Sequence, residues 1–427
     1  MLIYTVQPGD SLYRIARMYG VSLPFLIQQN ELREPYRLTP GQTVVVPQPE
    51  KTYLVQRGDT LGNIAAQNGT TVTALWQNNP QLGGTDRIQP GQMLTLSVGR
   101  RLGRLAVNGY AYPNIDLRVL RRTLPYLTFL SVFSTGFDDA GRLLPLRAEL
   151  LTRMARQYGA KPLLVLTTLG EDGSFSGERA HRLLNDPAMQ TALLENLERT
   201  LAAQGFAGVD IDFEYVPPAD AEAYAAWVRA VRERLSPAGY TVFVALAPKT
   251  AADQPGLLYE AHDYAALGAA ADRTLLMTYE WGYALSEPMA VAPLHRVEQV
   301  VRFAVSQIAP EKLFLGIPNY GYDWTLPWIQ GRSRARSLGN VQAVELAVQT
   351  GAPIRYDETA QSPCFSYWRD RAEHEVWFED ARSIRAKLAL AGEYRMTGVS
   401  VWNIMRYFPQ LWLVLNGLYE IEKTQEQ

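Results

Sequence analysis

Three carboxylates stand at alternate positions in one short stretch, Gly208-Val209-Asp210-Ile211-Asp212-Phe213-Glu214-Tyr215. Valine, isoleucine and phenylalanine fill the positions between them, so the stretch reads as a β-strand. Strand side chains alternate faces. Asp210, Asp212 and Glu214 therefore share one face, and Val209, Ile211 and Phe213 share the other. Carboxylates two residues apart on a strand are roughly 6.6 Å apart. Two ionised ones repel by about 2.5 kcal/mol at an effective dielectric near ~20. Folding gains nothing from that cost. Proton transfer does, because crowding pushes the pKa values apart and leaves one group protonated at neutral pH. A structural or metal-binding ladder is the competing reading.

The elements that must position this strand can be read around it. It follows an amphipathic helix and precedes a Tyr-Val-Pro-Pro turn, which places it inside an α/β core. From Leu105 onward, apolar strands alternate with helical stretches, the pattern of βα units on a parallel sheet. Strands are predicted at 105–111, 126–133, 162–168, 208–214, 241–247, 274–280, 313–318 and 398–402. Helices are predicted at 146–158, 188–204, 219–235, 259–271, 290–308 and 381–390. Eight strands in about 320 residues predict an α/β fold, a (β/α)8 TIM barrel. The stretch 339–380 is too long for one crossover and is expected to be a small α+β insertion after strand seven. Barrel enzymes collect their chemistry at the C-terminal ends of the strands. Glu214, Tyr279-Glu280, Asn319-Tyr320 and Trp402-Asn403 fall there. Trp281, Trp324 and Trp328 lie in loops on the same face and are expected to line a groove.

The first hundred residues repeat. Ile3-Tyr4-Thr5-Val6-Gln7-Pro8-Gly9-Asp10-Ser11-Leu12 matches Thr52-Tyr53-Leu54-Val55-Gln56-Arg57-Gly58-Asp59-Thr60-Leu61, and Leu38-Thr39-Pro40-Gly41-Gln42 matches Ile88-Gln89-Pro90-Gly91-Gln92. Each unit reads strand, helix, helix, strand, as modules of an array do. The Gly-Asp-Ser/Thr-Leu turn offers Asp or Ser/Thr as a helix cap. Pro47-Gln48-Pro49-Glu50 reads as a stiff linker, and 97–104 as the link to the barrel. The expected domains are 1–48, 51–98 and 104–427.

Composition narrows the function. The 427 residues carry 41 Lys plus Arg against 43 Asp plus Glu, a net charge of −2, which gives no footing for nucleic acid. Tyr is abundant at 23 and Trp at 9, and aromatic faces suit the apolar C–H faces of sugars. One cysteine, Cys364, excludes an intrachain disulfide. The four histidines lack metal-ligand spacing, so neither a metal nor another cofactor is expected. No apolar run reaches membrane-spanning length. The N-terminus lacks the pattern of a signal peptide, so export by an ordinary signal peptide is not expected.

The two repeats resemble LysM domains over residues 2–47 and 51–97. That resemblance implies binding to N-acetylglucosamine polymers, peptidoglycan or chitin, through Gly9, Asp10, Ser11 and Leu12 and through Gly58, Asp59, Thr60 and Leu61. Helix capping is the alternative for Asp10 and Asp59. Residues 104–420 resemble glycoside hydrolase family 18. Asp210-Ile211-Asp212-Phe213-Glu214 matches its strand-four motif, Met277-Thr278-Tyr279-Glu280 its strand-six motif and Trp402 its strand-eight tryptophan. Ala207 and Glu280 depart from the pattern, each standing where the family has Asp.

The motif combination looks most like the LysM-bearing spore cortex-lytic members, which are N-acetylglucosaminidases. The resemblance implies a substrate-assisted retaining mechanism. Glu214 is then the acid and base, Asp212 orients the substrate acetamido group, and Asp210 tunes Asp212. Tyr279 bonds the acetamido oxygen and Trp402 floors the sugar. Glu280, Asn319, Tyr320 and Trp281 are expected at the substrate, with strand capping the alternative for Asn319 and Tyr320. A chitinase and a catalytically inactive lectin on the same barrel are the competing functions. Protein partners are not indicated.

Overall fold

The carboxylate stretch forms a strand only over Gly208–Asp212, and all five of its residues are buried. Glu214 lies just past its end. The computed structural model describes residues 1–34, 36–170 and 173–423, so the last four residues of the expected 104–427 unit lie outside the described residues. Strand four pairs in parallel with Lys161–Thr167 on one side and Thr241–Leu246 on the other. The remaining barrel strands are Gly103–Ala111, Phe129–Thr135, Arg273–Leu276, Leu313–Pro318 and Gly398–Trp402. The sheet closes where strand eight pairs in parallel with strand one. The (β/α)8 barrel expected from the alternation is therefore the fold.

Two strand bounds differ from expectation by more than two residues. Strand two begins at Phe129, because Leu124–Tyr126 is a 3-10 turn around Pro125, and proline cannot donate to a ladder. Strand six stops at Leu276. Beyond it Thr278 turns its hydroxyl to the Gly316 carbonyl at 2.8 Å. A helix at Pro409–Leu418 and a short strand at Tyr419–Ile421, paired with the start of strand one, are additional elements.

The barrel is packed, not hollow. Phe129, Phe243 and Phe314 meet at its base with ring centroids 5.0–6.1 Å apart. Asp210 lies in register with Val165 and Phe243, on the inner face. The outer face of strand four packs on helices. Phe213 stacks on Tyr224 at 5.7 Å and on Trp227 at 5.3 Å. Burying so much aromatic surface on one side holds the acidic side inward.

The insertion is larger than expected. Its helix, Asn340–Thr350, and its later strands fall within 339–380, but two earlier strands, Gly321–Thr325 and Arg336–Leu338, join them in one five-stranded antiparallel sheet. Both are short and flank an arginine-rich loop, so neither carries a strong strand signal.

Each repeat forms two antiparallel strands around two helices. Pro49 and Glu50 belong to a strand, not a linker. The repeats are also docked on the barrel. In the first, Thr39 Oγ1 donates to the Ala352 carbonyl at 2.8 Å, and the Pro40 carbonyl accepts from Ile354 N at 2.8 Å. Its Val45 belongs to the barrel's own apolar core. In the second, Gln77 Nε2 donates to the Pro125 carbonyl at 2.8 Å, and Asn416 Nδ2 donates to Asn78 Oδ1 at 2.9 Å. The turns at Pro40-Gly41 and Pro90-Gly91 match in sequence but not in setting. A Cβ on Gly41 would lie 1.7 Å from the Ile354 carbonyl oxygen, whereas a Cβ on Gly91 would meet nothing within 4 Å.

Candidate active site

Asp210, Asp212 and Glu214 climb from the barrel interior to its rim. Asp210 is fully buried. Its Oδ2 accepts hydrogen bonds from Tyr110 Oη at 2.6 Å and Ser131 Oγ at 2.8 Å, while its Oδ1 has no partner among the described residues. Burial pushes its pKa up to about 6, against the pull of those two donors. Asp212 is 6 % exposed, and its Oδ1 also lacks a partner among the described residues. Burial first, then the charges of Glu214 and Asp210, hold its pKa well above the carboxylate range. Glu214 is half-buried at the rim. Burial first, and the Glu280 charge second, push it up to about 7. Glu214, pushed to about 7, can both hold and release a proton at neutral pH, which is the condition for an acid that also serves as a base.

The backbone turns sharply where the strand ends. Tyr215, directly after Glu214, has φ 57°, and Glu280 has φ 65°. Both are left-handed conformations costly for side chains larger than glycine, and such positions cluster at functional sites. His262 secures the end of strand four from behind. Its Nδ1 accepts from Ala247 N at 3.0 Å, which leaves Nε2–H facing the Phe213 carbonyl at 3.1 Å. Burial lowers its pKa to about 4, so it stays neutral.

Tyr279 and Trp402 form the neighbouring wall, their rings nearly parallel at 14° and 6.5 Å apart. Burial, then the Asp212 and Glu214 charges, raise the Tyr279 hydroxyl well above its usual value. It is a neutral donor. Trp402 is wedged edge-on against Phe133 at 4.9 Å and Tyr110 at 5.3 Å, with its face toward Tyr279. Glu280 accepts from the Tyr320 hydroxyl in a short hydrogen bond and from Tyr322 Oη at 3.1 Å.

Asn319 and Tyr320 line the cavity beside Glu280 and Trp402, but the protein engages their polar groups, and the expected loop tryptophans fall elsewhere. Asn319 is 3 % exposed. Its Nδ2 donates to the carbonyls of Asn403 at 3.0 Å and Arg406 at 2.8 Å, and its Oδ1 accepts from Asn340 at 3.3 Å. It ties strand seven to the strand-eight loop and has no amide hydrogen left for a sugar. Tyr320 is buried and spends its hydroxyl on Glu280. Trp324 is 1 % exposed and donates to the Ser286 carbonyl at 2.8 Å, so it is core of the insertion rather than groove lining. Trp328 is partly buried against the same cluster. Trp281 lines a different cavity, with Tyr259 and Gln254. Tyr110, Ser131 and Tyr322 are the residues that sequence reasoning missed. Tyr110 and Ser131 look like ordinary strand residues. Only the inward phase of strands one and two, measured against Asp210, points to them.

In the repeats the Asp residues and the hydroxyls divide the work. Ser11 Oγ and Thr60 Oγ1 cap the helices, accepting from Arg14 N at 3.3 Å and Asn63 N at 3.1 Å. Asp10 and Asp59 do not cap them. Each closes its turn, accepting from Gln7 N at 2.8 Å or Gln56 N at 2.7 Å, and each binds a strand tyrosine, Tyr4 at 2.6 Å or Tyr53 at 2.9 Å. Leu12 and Leu61 are 5 % and 1 % exposed, in the module cores, and offer no surface to a sugar. Gly9 and Gly58, with φ +82° and +93°, face open space: a methyl group on either would meet nothing within 4 Å. Asn30 and Asn79 are structural. Asn30 pairs with Val45 N and O at 2.8 and 2.7 Å, and Asn79 with Thr95 N and O at 2.8 Å each.

Among the described residues no group of three or more His, Cys, Asp or Glu is arranged to hold a metal ion. No helix among them is long and apolar enough to cross a membrane.

Comparison with known proteins agrees with this geometry. The family model for glycosyl hydrolases family 18 matches residues 127–406, and that for the LysM domain matches 4–47 and 53–97. The chain is 38% identical over 431 residues to a cortical fragment-lytic enzyme of Bacillus subtilis (strain 168), covering 99% of both chains. It is 36% identical over 431 residues to a cortical fragment-lytic enzyme of Bacillus anthracis, again with 99% of both covered. The crystal structure of the Bacillus cereus spore cortex-lytic enzyme SleL superposes with a TM-score of 0.85 at 36% identity, covering 100% of this chain and 99% of that one.

Proposed function

The chain belongs to glycoside hydrolase family 18 and carries two LysM domains, and from that premise we propose that it is an N-acetylglucosaminidase of spore cortex peptidoglycan. It cleaves the β-1,4 bond after N-acetylglucosamine by substrate-assisted retaining catalysis. Its LysM repeats hold the glycan. Its place is the spore cortex or the wall layers around it. The observation that carries this reading is the placement of three carboxyls along one inward face, Asp210 and Asp212 buried on strand four and Glu214 at the rim just past its end, with burial raising all three and Glu214 reaching about 7.

In this mechanism Glu214 passes its proton to the glycosidic oxygen as the C1–O bond breaks. The carbonyl oxygen of the substrate's 2-acetamido group attacks C1 from the opposite face. The electron pair of the broken bond stays with the departing oxygen, which keeps the proton. Asp212 orients the acetamido N–H and stabilises the oxazolinium cation that forms. Its unpartnered buried Oδ1 supports that role, since an orphaned acceptor is costly unless a ligand completes it. Asp210 shares a proton with Asp212 and sets its charge. Tyr279 donates to the acetamido oxygen, and the face of Trp402 floors the sugar. Water then attacks C1 as the C1–O bond to the acetamido oxygen breaks and its electron pair returns to that oxygen; Glu214 takes the water's proton, and the anomeric configuration is retained.

The dead-lectin alternative loses its ground with Glu214 present and poised. Mass spectrometry of products from cortex peptidoglycan, vegetative peptidoglycan and chitin tests the substrate. Reducing-end N-acetylglucosamine from cortex fragments is expected. Release from chitin alone would make the protein a chitinase.

A further inference from the structure

The site opens into a trough whose chemistry the reaction does not use. A cavity of about 400 Å³ is lined by Trp402, Glu280, Tyr322, Ser337 and Arg406. A second, of about 410 Å³, shares Ser337 and Arg406 with it and adds Arg336, Arg369, Gln342 and Glu345. A third, of about 410 Å³, shares Glu345 and Gln349 with the second and is walled on its far side by the first LysM repeat. The three run from Trp402, past the helix Asn340–Thr350, to the docked repeat.

The middle of the trough is basic in a protein whose net charge is −2. Arg336 is paired with Asp323 at 3.0 Å. Glu345, its one acidic wall residue, is paired with Arg33 of the first repeat at 3.1 Å. Arg369 and Arg406 have no carboxylate partner among the described residues. Arg369 lies over the Tyr367 ring at 5.3 Å. Among the described residues the Arg406 guanidinium hydrogen-bonds only Ser337 Oγ, at 3.4 Å, and its aliphatic stem packs beside Gly339. Arg334, exposed, and Arg406 both act on the Tyr322 hydroxyl, which itself bonds Glu280. Arg406 thus stands beside the candidate catalytic wall, and Arg369 lines the adjoining cavity of the trough. Guanidinium recognises carboxylate through two parallel hydrogen bonds, and neutral sugars offer no such group.

We propose that this trough is a subsite for carboxylates borne by muramic residues of the strand being cut, with Arg369 and Arg406 as the anion-binding residues. The subsite selects peptidoglycan over chitin, which is neutral. It rests on the glycosidase reading above. The carboxylate belongs either to the lactyl group or to the peptide stem.

The test uses the full chain and the double variant Arg369→Gln/Arg406→Gln, with equal melting temperatures as the folding check. Three substrates are compared: stem-bearing cortex fragments, the same fragments freed of stems by an amidase so that the lactyl carboxylate remains, and neutral N-acetylglucosamine oligomers. The variant is expected to raise KM for stem-bearing fragments roughly tenfold, the scale of one charge-assisted hydrogen bond. Its kcat stays within about twofold, and KM for the neutral oligomers barely moves. Added salt should raise the parent's KM for anionic fragments and not the variant's. In a stem-bearing residue the lactyl carboxyl is tied up as an amide, so a penalty that vanishes on stem-free fragments assigns the stem carboxylate, a penalty confined to stem-free fragments assigns the lactyl carboxylate, and equal penalties mean that the forks accept either. Unchanged KM on every anionic fragment, or equal losses on anionic and neutral substrates, overturns the subsite. A parent chain that cuts none of the three overturns the glycosidase reading instead.

Discussion

The Tyr110 hydroxyl donates a 2.6 Å hydrogen bond to Asp210 Oδ2, spanning the barrel interior from strand one to strand four. It is one of two donors that hold down the pKa of a carboxyl which burial raises. The deepest carboxylate is thus tuned by a strand far from it in sequence.

Tyr110→Phe removes that donor and nothing else of size. The Asp210 anion loses support, so its pKa rises above about 6. Activity that needs a negative charge on the Asp210–Asp212 pair then appears only at higher pH. The acid limb of the kcat/KM profile is expected to move upward, with a loss of roughly tenfold at about pH 6 from one charge-assisted bond. A profile unmoved on its acid side would remove Asp210 from the titrating pair.

Glu280 acts on the other limb. Its charge is the second cause that raises Glu214, after burial. Glu280→Gln removes it, so the Glu214 pKa falls from about 7. A general acid works while protonated, and activity is lost as pH rises through its pKa. The basic limb is therefore expected at lower pH in the variant. A basic limb that stays in place would show that burial alone sets the acid.

The two repeats allow a paired test of docking. Gly41 and Gly91 share φ +84°, so alanine is strained at both, by about 1 kcal/mol. Only at Gly41 must the new Cβ also displace the Ile354 carbonyl. Gly41→Ala is expected to lower stability by about 2–3 kcal/mol, and Gly91→Ala by about 1 kcal/mol. Thermal melts of the full chain measure this. Equal losses would mean that the first repeat is not fastened to the insertion. The same docking implies that deleting 1–97 uncovers barrel surface as well as removing the glycan anchor.

Much of this is legible in the chain itself, for identifiable reasons. Period-two alternation in 208–214 places the three carboxylates on one face, and the barrel does turn that face inward. The repeat is legible because Gly-Asp-Ser/Thr-Leu and Pro-Gly-Gln demand fixed turn geometry. Tyr110 and Ser131 are not, because a hydroxyl on a strand has no local signature; it matters only once the barrel closes. Asn319 reads as a site residue because it ends a strand, yet its amide is used to hold the next loop. Trp324 reads as exposed because it follows a strand end, yet the insertion sheet begins at Gly321 and buries it. The linkers at 47–50 and 97–104 read as separators, but docking depends on surfaces that meet only in three dimensions.

The central claim is that Glu214 is the acid and base of a glycosidase, and Glu214→Gln tests it most directly. Glutamine keeps the shape and cannot donate the proton. Folded Glu214 has a pKa above its unfolded value, so its ionisation costs stability as pH rises toward and past about 7. The variant should therefore melt no lower than the parent at about pH 8. Turnover of N-acetylglucosamine-containing cortex fragments is predicted to fall by about a thousandfold or more, with binding to the insoluble glycan retained. Undiminished hydrolysis by a folded Glu214→Gln protein would contradict the account.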